Sequence, residues 1–263
     1  MAQTIACANQ KGGVGKTTTV VNLTSQLVRN GDRVLVVDLD PQGNATSGFG
    51  IDRNRLDGSI YDAIIDGTPL GERIVPTSVG VDLAPSAIAL AGAEVELAGA
   101  AARERRLARL LQPVADRYDH IFIDCPPSLG LLTVNALTAA DAVLIPLQSE
   151  YYALEGLTQL LATIELVRDH LNPRLAIDGV VLTMADGRTN LSAEVAAEAR
   201  RHLGQLVYET VIPRSVRLSE APSHGLPIDR YAPGSRGAAA YEALAGEFRV
   251  RRVGALQPQA VVA

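Results

Sequence analysis

Short apolar runs rich in β-branched residues alternate along the chain with longer stretches in which apolar positions recur every three or four residues. The short runs predict strands at Thr4 to Ala8, Arg33 to Val37, Val81 to Ala84, His120 to Ile123, Ala142 to Pro146, Ile177 to Leu182 and Leu206 to Val211. Several are apolar on both faces, as strands of a covered parallel sheet must be. The longer stretches predict helices over Gly15 to Asn30, Ala87 to Gln112, Gly130 to Ala139, Leu154 to His170, Leu191 to Leu203 and Gly237 to Arg252, several of them stopped by Gly or Pro. Strand and helix alternating in this way imply right-handed βαβ crossovers, and so an α/β fold with a doubly wound, mostly parallel sheet and helices on both faces. Ligands of such sheets sit at the carboxyl ends of the strands. Residues 1–253 are expected to form one domain, with a disordered tail, GALQPQAVVA, from Gly254 to Ala263.

The chain has 263 residues, enough for one domain that buries about three quarters of the surface its unfolded form exposes. Its two cysteines, Cys7 and Cys125, are far apart and have no metal-ligand spacing, which argues against a disulfide scaffold, a zinc ribbon or a conventional iron–sulfur site. The start shows no cationic segment followed by an apolar one, and no run of about 18 apolar residues occurs, so export and membrane spanning are not expected. A net charge of −5 excludes a generally basic nucleic-acid coat and leaves room for local patches. The basic residues divide unevenly: Lys11 and Lys16 are the only lysines, and all the others are arginines. That pattern points to two positions that need an ammonium; the alternative is compositional drift that missed both.

The first strand is followed by Asn9-Gln10-Lys11-Gly12-Gly13-Val14-Gly15-Lys16-Thr17-Thr18 and then an apolar helix. Glycines let the backbone curl so that successive N–H groups meet phosphate oxygens, and the helix N-terminus adds its positive dipole end. In this setting Lys16 meets the β and γ phosphates of ATP and the Thr17 hydroxyl binds Mg²⁺. The second strand ends in Asp38-Leu39-Asp40, whose alternation puts both carboxylates on one side, one to hold a magnesium water and one to orient the attacking water, unless both are merely solvated. His120 to Asp124 has the form of an apolar strand ending in a carboxylate, which magnesium would stabilise through water. Cys125 beside it reads as a small buried strand-end thiol rather than a cluster ligand or nucleophile.

The loop departs from the usual GxxxxGK[ST] pattern, with Gln10 at the first glycine position and Lys11 directly before Gly12-Gly13. In this it resembles the deviant Walker A ATPases, the class of the ParA/Soj partitioning ATPases, MinD, the nitrogenase iron protein and the arsenical pump ATPase. Asp38 to Asn44, Asp124 to Ser128, Gln148 to Gly156 and Val211 to Gly225 look like the short Soj/ParA form, and the resemblance runs from about residue 4 to 250. It implies an ATP-dependent homodimer in which Lys11 reaches the partner's nucleotide, and a catalytic set of Lys11, Lys16 and Asp40. Loss of Asp40 would permit ATP binding and block hydrolysis. The nucleotide site would comprise residues 11–18 (Lys11, Gly12, Gly13, Val14, Gly15, Lys16, Thr17, Thr18), with Thr183, Met184, Pro213 and Arg214 at the adenine, and Thr17, Asp38 and Asp124 about the metal. Arg188 and Arg217 match positions used for non-specific double-stranded DNA binding, or else are solvated or salt-bridged loop residues. A ParB/Spo0J-type centromere-binding partner, whose basic N-terminal peptide stimulates hydrolysis, and a cytoplasmic, nucleoid-associated location are also implied.

Three rivals are weaker. A MinD-like membrane-cycling ATPase, for which a stable membrane association is not expected here, would end in an amphipathic helix; Glu247 to Val253 is short and poor in large apolar residues. A redox role would need a cluster cysteine away from Asp124, and a non-hydrolysing regulatory module would have no use for Asp40. The start so close to the first strand predicts no operator-binding extension. The clusters Arg103, Arg105, Arg106 and Arg109, and Arg249, Arg251 and Arg252, read as solvated helix faces.

Overall fold

A computed structural model describes residues 2–149, 153–186 and 190–254. Eight strands form one sheet: β1 (Gln3–Cys7), β2 (Val34–Asp38), β3 (Val75–Pro76), β4 (Asp82–Ala84), β5 (His120–Asp124), β6 (Ala142–Gln148), β7 (Ala176–Ala185) and β8 (Val207–Pro213). Their order is β3-β4-β2-β5-β1-β6-β7-β8, and every pairing is parallel except that of β3 with β4. The chain winds outward from β1 in both directions, so the carboxyl ends of β1, β2 and β5 meet near the middle of the sheet.

Alternation along the strands builds two cores. Ala6, Leu35, Val37, Ile121 and Ile123 join one apolar cluster, while Ile5, Cys7, Val34, Val36 and Phe122 join the other, on the opposite face. Helix α1 (Lys16–Arg29) covers the second face together with α11 (Arg236–Gly254), which buries Ala238, Tyr241, Leu244, Ala245 and Phe248. The apolar side of α11 is thereby used inside the domain. The other face carries α3 (Ile60–Asp66), α4 (Ala93–Ala98), α5 (Arg106–Leu111), α6 (Leu131–Ala139) and α7 (Ala153–His170). Short α2 (Asn44–Gly48), α8 (Asn190–Leu203), α9 (Val216–Glu220) and α10 (Ile228–Tyr231) complete the set.

The single helix expected over Ala87 to Gln112 is instead broken. A 3-10 turn (Ile88–Gly92) leads into α4, and a second 3-10 turn (Arg103–Arg105) leads into α5. Gly99 ends α4, and Ala102 at φ 49° turns the chain so that Leu90, Ala93 and Leu97 before it and Leu107 and Leu111 after it all enter the same core. Helices α2 and α3 were not expected. Ser59 and Asp62 start α3 with a reciprocal capping box, Ser59 accepting from Tyr61 N–H and Asp62 accepting from Ser59 N–H.

The arginine clusters are only partly solvated: Arg105, Arg109 and Arg249 are exposed as expected, whereas Arg103, Arg106, Arg251 and Arg252 are half-buried. Arg252 pairs with Asp178 and lies over the Phe248 ring, 4.1 Å from its centroid. Arg251 pairs with Glu247 at 2.9 Å, donates to the carbonyls of Gln205 and Val207 and covers Tyr208. Arg106 donates to Ile64 and Ile65, and Arg105 to Leu171. These guanidiniums stitch α11 to β7 and β8, α5 to α3, and the turn before α5 to the end of α7. Of the expected tail only Gly254 is described, as the last residue of α11.

Candidate nucleotide site

The loop between β1 and α1 begins with Asn9, a 3% exposed side chain that works in two directions. Its Nδ2 donates to the Pro146 carbonyl at 2.8 Å, and its Oδ1 accepts from Lys11 N–H at 3.0 Å. The loop mouth is thus tied to the end of β6 while the Lys11 backbone is turned by an Asx contact. Gly13 and Gly15 have φ of 76° and 90°, left-handed values that a side chain would strain, and Gly15 caps α1. Val14 is held by its carbonyl, which accepts from the Thr183 hydroxyl at 2.8 Å. Lys16, the first residue of α1, is 6% exposed and its ammonium donates to the Lys11 carbonyl at 3.2 Å. The two lysines singled out by composition are therefore in direct contact.

Carboxylates from two neighbouring strands close the site. Asp38 of β2 and Asp124 of β5 are paired in register, and both are fully buried. Asp38 Oδ2 accepts from the Thr46 hydroxyl at 2.6 Å and from Thr46 N–H at 2.7 Å, and its Oδ1 accepts from Asp40 N–H at 3.3 Å. Both oxygens of Asp124 lack a hydrogen-bond partner. Burial, then the Asp38 charge, pushes the Asp124 carboxyl well up, with Thr17 and Lys16 pulling it the other way. Burial likewise pushes Asp38 up to about 6, against the Thr46 hydrogen bonds. A buried carboxylate with open lone pairs beside a threonine and a lysine suits a divalent cation and its water shell, so these residues fit the magnesium expected from the sequence.

Asp40 is 6% exposed; its Oδ1 accepts from Gln42 N–H at 2.9 Å, and its carbonyl accepts from the Ser86 hydroxyl at 2.7 Å. Ser86 N–H also donates to the Thr46 hydroxyl at 3.0 Å. Ser86 and Thr46 thus fix the Asp38 to Asp40 segment from outside, and neither was anticipated. For Asn9 a signal existed, an Asx residue two before Lys11; for Thr46 and Ser86 none did, because their partners depend on how distant segments pack. Cys7 and Cys125 are buried, and burial pushes both thiols up, in keeping with a packing role.

The structure brings Thr183, Met184, Pro213 and Arg214 together at the carboxyl ends of β7 and β8, where Ala185 pairs with Pro213 and Arg214 N–H donates to the Ala185 carbonyl at 3.0 Å. Thr183 lies against the phosphate loop, its hydroxyl already committed to Val14. Met184 takes an uncommon φ of 53°. Arg217 stands on α9, with 61% of its side chain exposed and an ion pair to Glu220 at 2.9 Å. Arg188 lies outside the described residues. Among the described residues no helix is long and apolar enough to cross a membrane.

Strand, glycine loop, helix and two strand-end carboxylates define a P-loop nucleotide-binding protein. Residues 2–177 match the family model described as an AAA domain. The chain is 57% identical over 248 residues to the sporulation initiation inhibitor protein Soj of Bacillus subtilis (strain 168), covering 94% of this chain and 98% of the relative. It is 52% identical to the chromosome partitioning protein ParA of Myxococcus xanthus (strain DK1622), covering 94% and 88%. Among solved structures, cobyrinic acid a,c-diamide synthase from Mycobacterium smegmatis with bound ATP analog and magnesium superposes with a TM-score of 0.84 at 40% identity, covering 94% of this chain and 93% of that one. The chain belongs to the Soj/ParA family of chromosome-partitioning ATPases.

Proposed function

We propose that the chain is an ATP-driven dimerisation switch: two copies close on ATP, the dimer binds double-stranded DNA without sequence preference, and hydrolysis to ADP and phosphate separates them. The observation that carries this reading is the phosphate loop itself, with the buried Lys16 ammonium folded back on the Lys11 carbonyl, together with the buried Asp124 carboxylate at the end of β5, whose oxygens have no hydrogen-bond partner. Residues 11–18 bind the phosphates, with Lys16 leaving the Lys11 carbonyl to neutralise the β and γ groups. The Thr17 hydroxyl would ligate Mg²⁺, with Asp124 and Asp38 accepting from its waters, and the ion would supply charge neutralisation of the phosphates. Asp40, steadied by Gln42 and Ser86, orients the attacking water. Lys11 extends to the partner's nucleotide, a role consistent with a backbone already fixed by Asn9. Thr183, Met184, Pro213 and Arg214 border the adenine, with Thr183 acting by bracing the loop.

DNA contact falls to Arg217 and Arg188. Pairing two subunits doubles each patch, so a net-acidic chain gains DNA affinity only as a dimer. The partner is a ParB/Spo0J-type protein that accelerates hydrolysis through a basic peptide, and the site of action is the cytoplasm, on the nucleoid. A MinD-like membrane cycle is disfavoured because α11 spends its apolar side on α1 and β8.

The test is DNA retention measured with ATP and with ADP at two salt concentrations. Retention only with ATP, falling steeply with salt, is expected. Equal retention with ADP, or retention by Lys16→Ala equal to the parent, would contradict the switch.

A further inference from the structure

The arginine assigned to DNA already has a partner. Arg217 Nη1 donates to Glu220 Oε2 at 2.9 Å, one turn along α9. The same oxygen accepts from the Tyr231 hydroxyl at 3.1 Å, from α10. The Tyr231 ring is in turn stacked on His224, with centroids 4.7 Å apart and planes 26° from parallel. The Glu220 carbonyl accepts from the Ser223 hydroxyl at 2.7 Å, which fixes the backbone beneath it. Glu220 is thus a carboxylate aimed at the guanidinium by contacts from two elements. Its hydrogen bonds from Arg217 and Tyr231 hold its carboxyl below the usual range, so it is ionised at neutral pH.

An exposed ion pair three residues apart on a five-residue helix adds little to stability. Its effect on an incoming anion is larger. Glu220 occupies Nη1, one of the donors a DNA phosphate would use, and the phosphate approaches a fixed negative charge at hydrogen-bond range.

We propose that Glu220 is an affinity-limiting residue of the DNA surface, its carboxylate competing with backbone phosphate for the Arg217 guanidinium. This rests on the reading of Arg217 as a DNA contact. Binding exchanges one anion for another at each Arg217, so each subunit contributes less than a free arginine would. The effect is counted twice in a dimer, which keeps the complex easy to dissolve once the subunits part.

The test is a double-mutant cycle read by filter binding of a random-sequence double-stranded oligonucleotide at about 0.1 M salt, with ATP and Mg²⁺. Affinities are compared per dimer, quantified by light scattering. Glu220→Gln should tighten binding by about 3- to 10-fold, while Glu220→Gln in an Arg217→Ala background should tighten it less than about 2-fold. Unchanged or weaker binding by Glu220→Gln, with Arg217→Ala also weakened, overturns the proposal and leaves Arg217 as a DNA contact. Full tightening that persists without Arg217 also overturns it, since the carboxylate would then act on the DNA directly rather than through that guanidinium. Unchanged binding by Arg217→Ala overturns the DNA reading itself.

Discussion

Asp38 and Asp124 lie in register at the carboxyl ends of β2 and β5, fully buried, and only Asp38 has hydrogen-bond partners. The asymmetry divides their work. Asp38 anchors the segment that carries Asp40, through Thr46, whereas the open lone pairs of Asp124 are available to a cation's water shell. Without the cation, two neighbouring buried carboxylates are a cost to the fold.

Asp124→Asn should therefore raise the thermal stability of the nucleotide-free protein, by on the order of 1 kcal/mol at neutral pH, while weakening the stabilisation that Mg²⁺ and nucleotide confer. The pH dependence has a definite sign. Both folded-state values lie above the unfolded carboxylate's 3.8, so this contribution to stability is present below about pH 4 and is lost as pH rises through the folded values, about 6 for Asp38. Melting curves from pH 4 to 8 should show that decline in the parent and a shallower one in Asp124→Asn. A less stable nucleotide-free variant at pH 7 would count against the assignment.

Thr46→Val keeps the shape of the side chain but removes the hydroxyl that donates to Asp38 and accepts from Ser86. A lost hydrogen bond to a buried charged group predicts a destabilisation of ~2 kcal/mol in urea titration. The variant should also hydrolyse ATP more slowly than it loses nucleotide affinity, because Asp40 is displaced while the phosphate loop stays intact. Parent-like stability would show that Asp38 finds another partner.

Arg252→Ala breaks a pair whose side chains are only 13% and 7% exposed, leaving Asp178 buried with Tyr208 as its remaining partner. A loss of ~3 kcal/mol is expected, with DNA affinity per dimer unchanged. Reduced DNA affinity in a fully folded sample would return this cluster to the DNA surface.

Seven of the eight strands were legible from their apolar runs, and the site because glycines, lysines and strand-end aspartates cluster at fixed offsets, whereas β3 has two residues, too few to show a pattern. The failures have local causes. The Ser59 to Asp62 capping box marks α3 in the sequence, but the helix has only seven residues before Gly67 ends it, too few to show a period. Ala87 to Gln112 shows helical spacing on either side of Gly99 and Ala102, and nothing local announces that an alanine there turns left-handed. Arg251 and Arg252 looked solvated because their partners, Asp178 and the carbonyls of Gln205 and Val207, come from β7, β8 and the turn between α8 and β8. Thr46 and Ser86 are ordinary polar residues until the fold brings their partners within reach.

The central claim is that ATP joins two copies and that Asp40 ends the joined state. Light scattering of Asp40→Ala with ATP and Mg²⁺ tests it most directly, with Lys11→Ala measured alongside. Asp40→Ala should hold the mass of a dimer long after the parent has returned to monomer, with hydrolysis lost, and Lys11→Ala should stay monomeric. A monomeric Asp40→Ala, or one that hydrolyses ATP at the parent rate, would contradict the account.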